Sequence, residues 1–196
     1  RQPDSAATPT MVILLLATLI ILNGVFAMSE IALVTARRVR LANLAKLGDR
    51  AAGIAIKLQD DPTRFLSTVQ IGITSISILN GIVGEAVLAD PLSAWMQSMG
   101  LTTDVSSITS TVLVVIVITY FSIVIGELVP KRIGQFNPEN IARRVARPMN
   151  LLAMLARPFV RLLSLSTNGI LRLLGLQQTS QVDLIEEEIH ALLQEG

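Results

Sequence analysis

The chain has 196 residues, 51% hydrophobic and 16% charged, with a mean hydropathy of +0.60. Soluble domains carry roughly 25% charged residues, so an ordinary soluble domain is excluded, and the apolar content excludes a disordered chain. The absence of cysteine excludes a disulfide framework, thiol catalysis and thiolate zinc sites, and the single histidine, His190, excludes multi-histidine metal centres.

Three stretches lack basic residues and reach the length of about 20 mostly apolar residues that a membrane-spanning helix needs. The first runs from Met11 to Ala36. It exceeds the roughly 7–15 apolar residues of a secretory leader, and only Arg1 precedes it, so it reads as a span. A chain that starts at Arg rather than Met is expected to be trimmed or processed. Next comes a basic segment, Arg37 to Arg64. Leu41, Leu44 and Leu47 alternate there with cationic residues, and Gly48 and Gly53 permit breaks. This pattern predicts a helical hairpin or an interfacial helix. A second span runs from about Phe65 to Ala89, and a third from about Ile108 to Val129.

The region from Arg143 to Leu176 is basic and amphipathic, with apolar runs interrupted by arginines and by Pro148 and Pro158. It predicts helices lying along a membrane interface. The alternative is a fourth, kinked span from Pro148 to Leu176, which would hold Arg157 and Arg161 within the membrane at a cost of several kcal/mol. From Thr179 onward, Asp183, Glu186, Glu187, Glu188 and Glu195 form an acidic helix with Val182, Ile185, Ile189 and Leu192 on one face. That helix reads as a linker towards a further region. The expected organisation is a tail over 1–10, a transmembrane domain with its helix belt over 11–176, and the acidic linker over 177–196. No internal repeat, phosphate loop or nucleic-acid signature is present, and no nucleophile–base pair suggests an enzyme.

Charge placement sets the orientation. Seven basic residues lie between the first two spans and eight follow the third, 15 of 16 in all. The connection between spans two and three holds Asp90 and Asp104 and no Lys or Arg. The positive-inside rule then predicts an outside N-terminus and a cytoplasmic C-terminus in a cell membrane. The expected fold is all-α: three spans plus cytoplasmic juxtamembrane amphipathic helices.

Ionisable groups inside spans are expensive and point to function. Glu127 lies in Gly126-Glu127-Leu128-Val129-Pro130-Lys131. Pro130 has no N–H to give the Gly126 carbonyl, its α-helical partner, and in lipid a freed carbonyl must be satisfied by protein, water or an ion. A carbonyl beside a carboxylate is a hard-oxygen pair suited to Mg²⁺ or Ca²⁺. Alternatively, Glu127 ends the helix at the interface and pairs with Lys131 or Arg132. The first span carries Asn23, Gly24, Ser29 and Glu30. Ser29-Glu30 and Glu127 each lie about 18 residues from the outer end, roughly 27 Å deep. Ser29 bonded to its own helix and Glu30 reaching the basic layer is the other reading.

The second span offers Thr74, Ser75, Ser77, Asn80, Gly81 and Gly84. Small and hydroxylated residues serve close packing, whereas a membrane-embedded amide needs a partner or an ion. Measured from the basic end, Asn80 stands about 22 Å up and Ser29 about 10 Å up. A tilted or unwound helix would close that gap; otherwise Ser77 is the better partner. Glu85 lies near the outer mouth.

Ala27-Met28-Ser29-Glu30-Ile31-Ala32-Leu33, Thr68-Val69-Gln70-Ile71-Gly72-Ile73-Thr74 and Gly126–Lys131, in this order and spacing, resemble the transmembrane domain of the CorC/CNNM family of magnesium transporters. The resemblance implies a homodimer of three-span domains, with cytosolic paired CBS modules beyond the acidic linker. It implies Mg²⁺ export driven by Na⁺ influx, through a site open to the cytoplasm. Carried over residue by residue, that site uses the Ser29 hydroxyl, the Asn80 amide oxygen and the Gly126–Glu127 element. Two rival functions are a non-transporting membrane anchor for a cytosolic module, and a carrier of Co²⁺ or Mn²⁺.

Overall fold

A computed structural model describes residues 7–175, which are 92% helical with no strand among them. The helices are α1 (Ala7–Thr35), α2 (Arg38–Lys46), α3 (Arg50–Asp60), α4 (Pro62–Ser98), α5 (Thr103–Ile123), α6 (Val129–Phe136), α7 (Pro138–Leu155) and α8 (Arg157–Leu173). A single π-helical turn, Val124–Leu128, joins α5 to α6. Three stretches are long and apolar enough to cross a membrane: Thr10–Thr35, Pro62–Ser98 and Thr103–Phe136. The protein is therefore an all-α, multi-pass membrane protein. The acidic segment over 177–196 lies outside the described residues.

The spans keep their expected places but not their expected ends. α4 starts three residues before Phe65 and continues past Ala89 through Pro91 to Ser98. An internal proline removes one hydrogen bond and bends a helix without having to end it. At 37 residues, α4 is about 55 Å long, well beyond a hydrocarbon layer of roughly 30 Å. The third span likewise does not stop at Val129. It passes through the π turn and runs on as α6 to Phe136. The basic hairpin forms as α2 and α3. Gly48, at φ +96°, makes its turn, while Gly53 lies inside α3 and breaks nothing.

Two units follow the chain, one ending at Ala156 and the other beginning at Arg157. In the first, α4 packs on α1 and α5, and α6 and the π turn pack on α1. The apolar core gathers at the basic end, where Ala27 and Leu33 of α1 meet Leu41, Ala52, Ala55, Phe65, Val69, Ala142 and Ala146. Away from that core, Leu14, Ile21, Ile78, Ile82, Val112 and Ile116 are exposed. That is the surface a bilayer covers, since lipid needs no polar face.

Helix ends at the basic side are tied by distant side chains, because a helix terminus leaves unpaired backbone groups. Gln59 Nε2 donates to the Leu33 and Ala36 carbonyls, at 2.8 and 2.9 Å, where α1 ends. Glu139 Oε1 accepts from the Arg37 N–H at 3.4 Å, ahead of α2. Arg64 Nη2 donates to the Ala153 carbonyl near the end of α7 at 3.1 Å. Asp49 caps α3, accepting from Ala51 and Ala52 N–H groups, and pairs with Arg143 of α7. Pro148 sits inside α7, and Pro158 stands at the start of α8, where its missing N–H costs nothing. The second unit contains α8, an amphipathic helix with Phe159, Leu162, Leu163 and Leu165 exposed.

Candidate functional site

The geometry begins with Pro130. A proline here would leave a carbonyl unpaired one turn earlier and clash with it. The chain widens instead: the Val129 N–H bonds to the Val124 carbonyl, five residues back. Such π bulges insert one residue into a helix and are frequent at functional sites. The bulge turns Gly126 against α1. A Cβ on Gly126 would stand 3.2 Å from both Asn23 Nδ2 and the Ile20 carbonyl oxygen, tighter than an ordinary Cβ contact, so glycine favours this close approach of the two backbones. The Gly126 carbonyl accepts a hydrogen bond from Asn23 Nδ2 at 3.1 Å. Asn23 is 2% exposed, and its own Oδ1 is buried without a hydrogen-bond partner.

One to two turns further along, two carboxylates meet one ammonium. Lys131 Nζ lies 2.8 Å from Glu127 Oε1 on its own strand of helix, and 3.3 Å from Glu30 Oε2 on α1. All three side chains are partly buried. Glu30 and Glu127, placed at one depth by counting residues, thus share a single counter-ion. Ser29 is fully buried, and its Oγ donates to the Val25 carbonyl at 2.6 Å. A hydroxyl that donates keeps its lone pairs for a further contact.

Asn80 sits elsewhere on the bundle. It is 1% exposed, and neither Oδ1 nor Nδ2 has a hydrogen-bond partner. The position of a Cβ on Gly72 of α4 lies 2.9 Å from the Phe26 ring of α1, which sets the register of the two helices. Ser29 is three residues to one side of that contact and Asn80 eight to the other, so about 16 Å along the axis separates them. Between α4 and α5 the register is set by Gly84 against Ile118. One turn from each, on the basic side, stand Asn80 and Ser122. The Ser122 Oγ is also buried and unpartnered. Thr74 and Ser77 are exposed on α4, and Glu85 accepts from Thr111 Oγ1 at 3.4 Å.

The structure therefore joins Gly126, Glu127 and Glu30 along α1, and holds Asn80 level with Ser122, about one turn further out than Gly126 and about 16 Å along the axis from Ser29. Asn23 is a residue that the sequence reading named in the first span but gave no role. Its signal was the freed carbonyl itself, since in lipid that acceptor requires a donor and Asn23 is the amide of α1. Among the described residues no three Asp, Glu or His side chains converge. A cation here must be held by one or two carboxylates and neutral oxygens. That donor set suits Mg²⁺, which takes one or two carboxylates and keeps some water.

Together these features define a multi-pass membrane domain with a polar cluster inside its apolar bundle. Residues 14–196 match the CNNM family, described as the Cyclin M transmembrane N-terminal domain. The chain belongs to that transporter-type family, as the motifs of α1, α4 and the π turn led one to expect. It is 48% identical over 178 residues to UPF0053 protein sll0260 of Synechocystis, covering 91% of this chain and 40% of that protein. It is 33% identical over 184 residues to the polyamine export protein of Salmonella typhimurium, covering 94% and 41% respectively. It is 33% identical to UPF0053 protein YhdT of Bacillus subtilis, covering 94% and 40%. The chain spans well under half the length of these relatives.

Proposed function

We propose that this domain carries Mg²⁺ out of the cell, by exchange for Na⁺, as a homodimer with its basic side in the cytoplasm. The observation that supports this most directly is the π turn. It places the Gly126 carbonyl and the Glu127 carboxylate beside Asn23 and Glu30 in the bundle. Each is a hard oxygen donor or stands next to one. Glu127 supplies charge and Gly126 a main-chain oxygen. Ser29 supplies a hydroxyl with free lone pairs, and Asn80 an unpartnered amide that a helix movement would bring into the set. Weak, partly hydrated binding is what a carrier needs, because the ion must leave again, and transport needs two states that open the site to opposite sides.

The test is the Mg²⁺-dependent rise in thermal stability of the purified protein in detergent, paired with Mg²⁺ flux from proteoliposomes. Glu127→Gln keeps the shape and removes the charge. The variant is expected to lose the Mg²⁺-dependent rise entirely and to carry no flux. A rise equal to that of the unsubstituted protein would refute this assignment of the site.

A second reading has its own support. An alkylammonium, that of Lys131, already sits between Glu30 and Glu127, and relatives at 32–33% identity are named polyamine export proteins. The terminal amine of a linear polyamine would make the same two contacts. Stabilisation by a linear triamine, with none by Mg²⁺, would select this cargo.

A further inference from the structure

Lys131 stands where the proposed cargo must bind. Its Nζ is 2.8 Å from Glu127 and 3.3 Å from Glu30. The two carboxylates are held by packed backbone. On α6, a Cβ at Gly134 would stand 2.9 Å from the Met28 carbonyl oxygen, and Pro130 Cγ lies 2.9 Å from the position of a Cβ on Gly24. α1 and α6 therefore cannot spread or slide without losing close contact. The lysine, by contrast, reaches the pair on a flexible four-carbon stem. The backbones that carry the two carboxylates are fixed against each other, and the ammonium is the group with the longest reach in this cluster.

We propose that Lys131 is a tethered competitor: its ammonium fills the cation site when cargo is absent and swings out when cargo arrives. This rests on the reading of Glu127 as a cargo ligand. One ammonium balances only one of two carboxylates, so the resting cluster keeps a net negative charge that draws in a second cation. A dication bound by carboxylate oxygens at about 2.1 Å leaves no room for Nζ at its present distance. The competition has two consequences. Apparent affinity falls by the fraction of time the site is free of the lysine, which favours release. The unloaded carrier also never exposes two uncompensated carboxylates within the membrane, where bare charge is costly, so its return step is eased.

The experiment compares the full chain with Lys131→Met, using Mg²⁺ alone as the probe, in detergent for affinity and in proteoliposomes for flux. Removal of the competitor should tighten Mg²⁺ binding by about tenfold or more and slow multi-turnover flux. Affinity equal to or weaker than that of the unsubstituted protein overturns the proposal. Lys131→Arg decides the matter if the methionine variant does not fold. Its two-pronged guanidinium should hold both carboxylates and weaken Mg²⁺ binding, and tighter binding would overturn the idea. A lack of response to Mg²⁺ in the unsubstituted protein would instead refute the Mg²⁺ reading. The same comparison would then be made with a linear triamine, where an unchanged affinity in Lys131→Met overturns the competitor on its own.

Discussion

Two of the helix interfaces in this bundle use glycine differently. Where α1 meets the π turn and α6, the glycines face backbone. Gly126 lies against the Ile20 carbonyl and Gly134 against the Met28 carbonyl, and the one buried amide, Asn23, finds the Gly126 oxygen. Where α4 meets α5, Gly84 faces only the tip of Ile118, and the buried polar groups Asn80 and Ser122 have no partner. The first interface is locked by backbone contact and by the bond from Asn23 Nδ2 to the Gly126 carbonyl, even though Asn23 Oδ1 stays unpartnered there. Around Gly84 the second is closed by a flexible side chain over Asn80 and Ser122, which are left unpaired, while Ser93–Ser106 and Thr111–Glu85 hydrogen bonds join α4 and α5 elsewhere. Buried polar groups without partners are uncommon and ask for a reason. Under the proposed function, the unpaired Asn80 is a group that a movement of α4 would bring to the cargo.

The largest effect should come from testing the lock. Gly134→Ala puts a methyl 2.3 Å from Ile31 Cγ2 and 2.9 Å from the Met28 carbonyl oxygen. Backbone cannot step aside, so overpacking should cost about 3 kcal/mol, a fall in Tm on the order of 10 °C. Gly84→Ala brings its methyl to 1.8 Å from Ile118 Cδ1, a closer clash on paper. That atom is the far end of a rotatable chain, and the cost should stay below about 1 kcal/mol. Thermal unfolding in detergent checks both. Equal losses would mean that α4 and α5 are held as tightly as α1 and α6.

A smaller effect separates the two amides. Asn23→Leu removes the donor from the Gly126 carbonyl and leaves that oxygen buried, which should cost about 2 kcal/mol. Asn80→Leu removes an amide that has no partner to lose, so stability should hold or rise by up to about 1 kcal/mol. Under the proposed function, the same change should weaken Mg²⁺-dependent stabilisation. A destabilised Asn80→Leu protein with full Mg²⁺ response would make Asn80 a packing residue and return the α4–α5 interface to the locked class.

Much of this contrast was legible from the residues, and the remainder was not for definite reasons. The spans follow from apolar length alone, and Pro130 beside Glu127 marked the place where the helix had to depart from its ordinary bonding. Counting 1.5 Å per residue put Glu30 and Glu127 at one depth, and the structure gives them a shared ammonium. The same counting separated Asn80 from Ser29, and the register set by Phe26 on Gly72 keeps them apart. Helix ends were less legible. The second and third spans were expected to end near Ala89 and Val129, yet both helices continue past Pro91 and Pro130, because a single missing N–H is absorbed by a bend or by a π turn. The role of Asn23 was missed because a hydrogen bond between residues 103 apart depends on how two spans face each other, and periodicity within one span carries no such information.

The smallest effect lies outside the bundle, at the α3–α7 contact, and it measures what burial adds to the other two interfaces. Asp49 pairs with Arg143 and caps α3 on the side of the molecule rich in charge. Desolvation works against its ionisation, but the Ala52 and Ala51 N–H groups and the Arg143 guanidinium together hold its pKa below the ordinary 3.8. A carboxyl lowered on folding stabilises the fold fully above its unfolded value. That contribution disappears as pH falls through the lowered one. Asp49→Asn keeps a competent cap and loses only the charge. Its Tm should lie slightly below that of the unsubstituted protein at neutral pH, by less than the fall in Asn23→Leu. The difference should begin to shrink as pH falls through about 4 and close once it has passed below the lowered pKa. A gap as wide as that of Asn23→Leu, or one that persists in acid, would mean that the belt of helices at the basic end is locked by charge as firmly as α1 and α6 are locked by backbone contact.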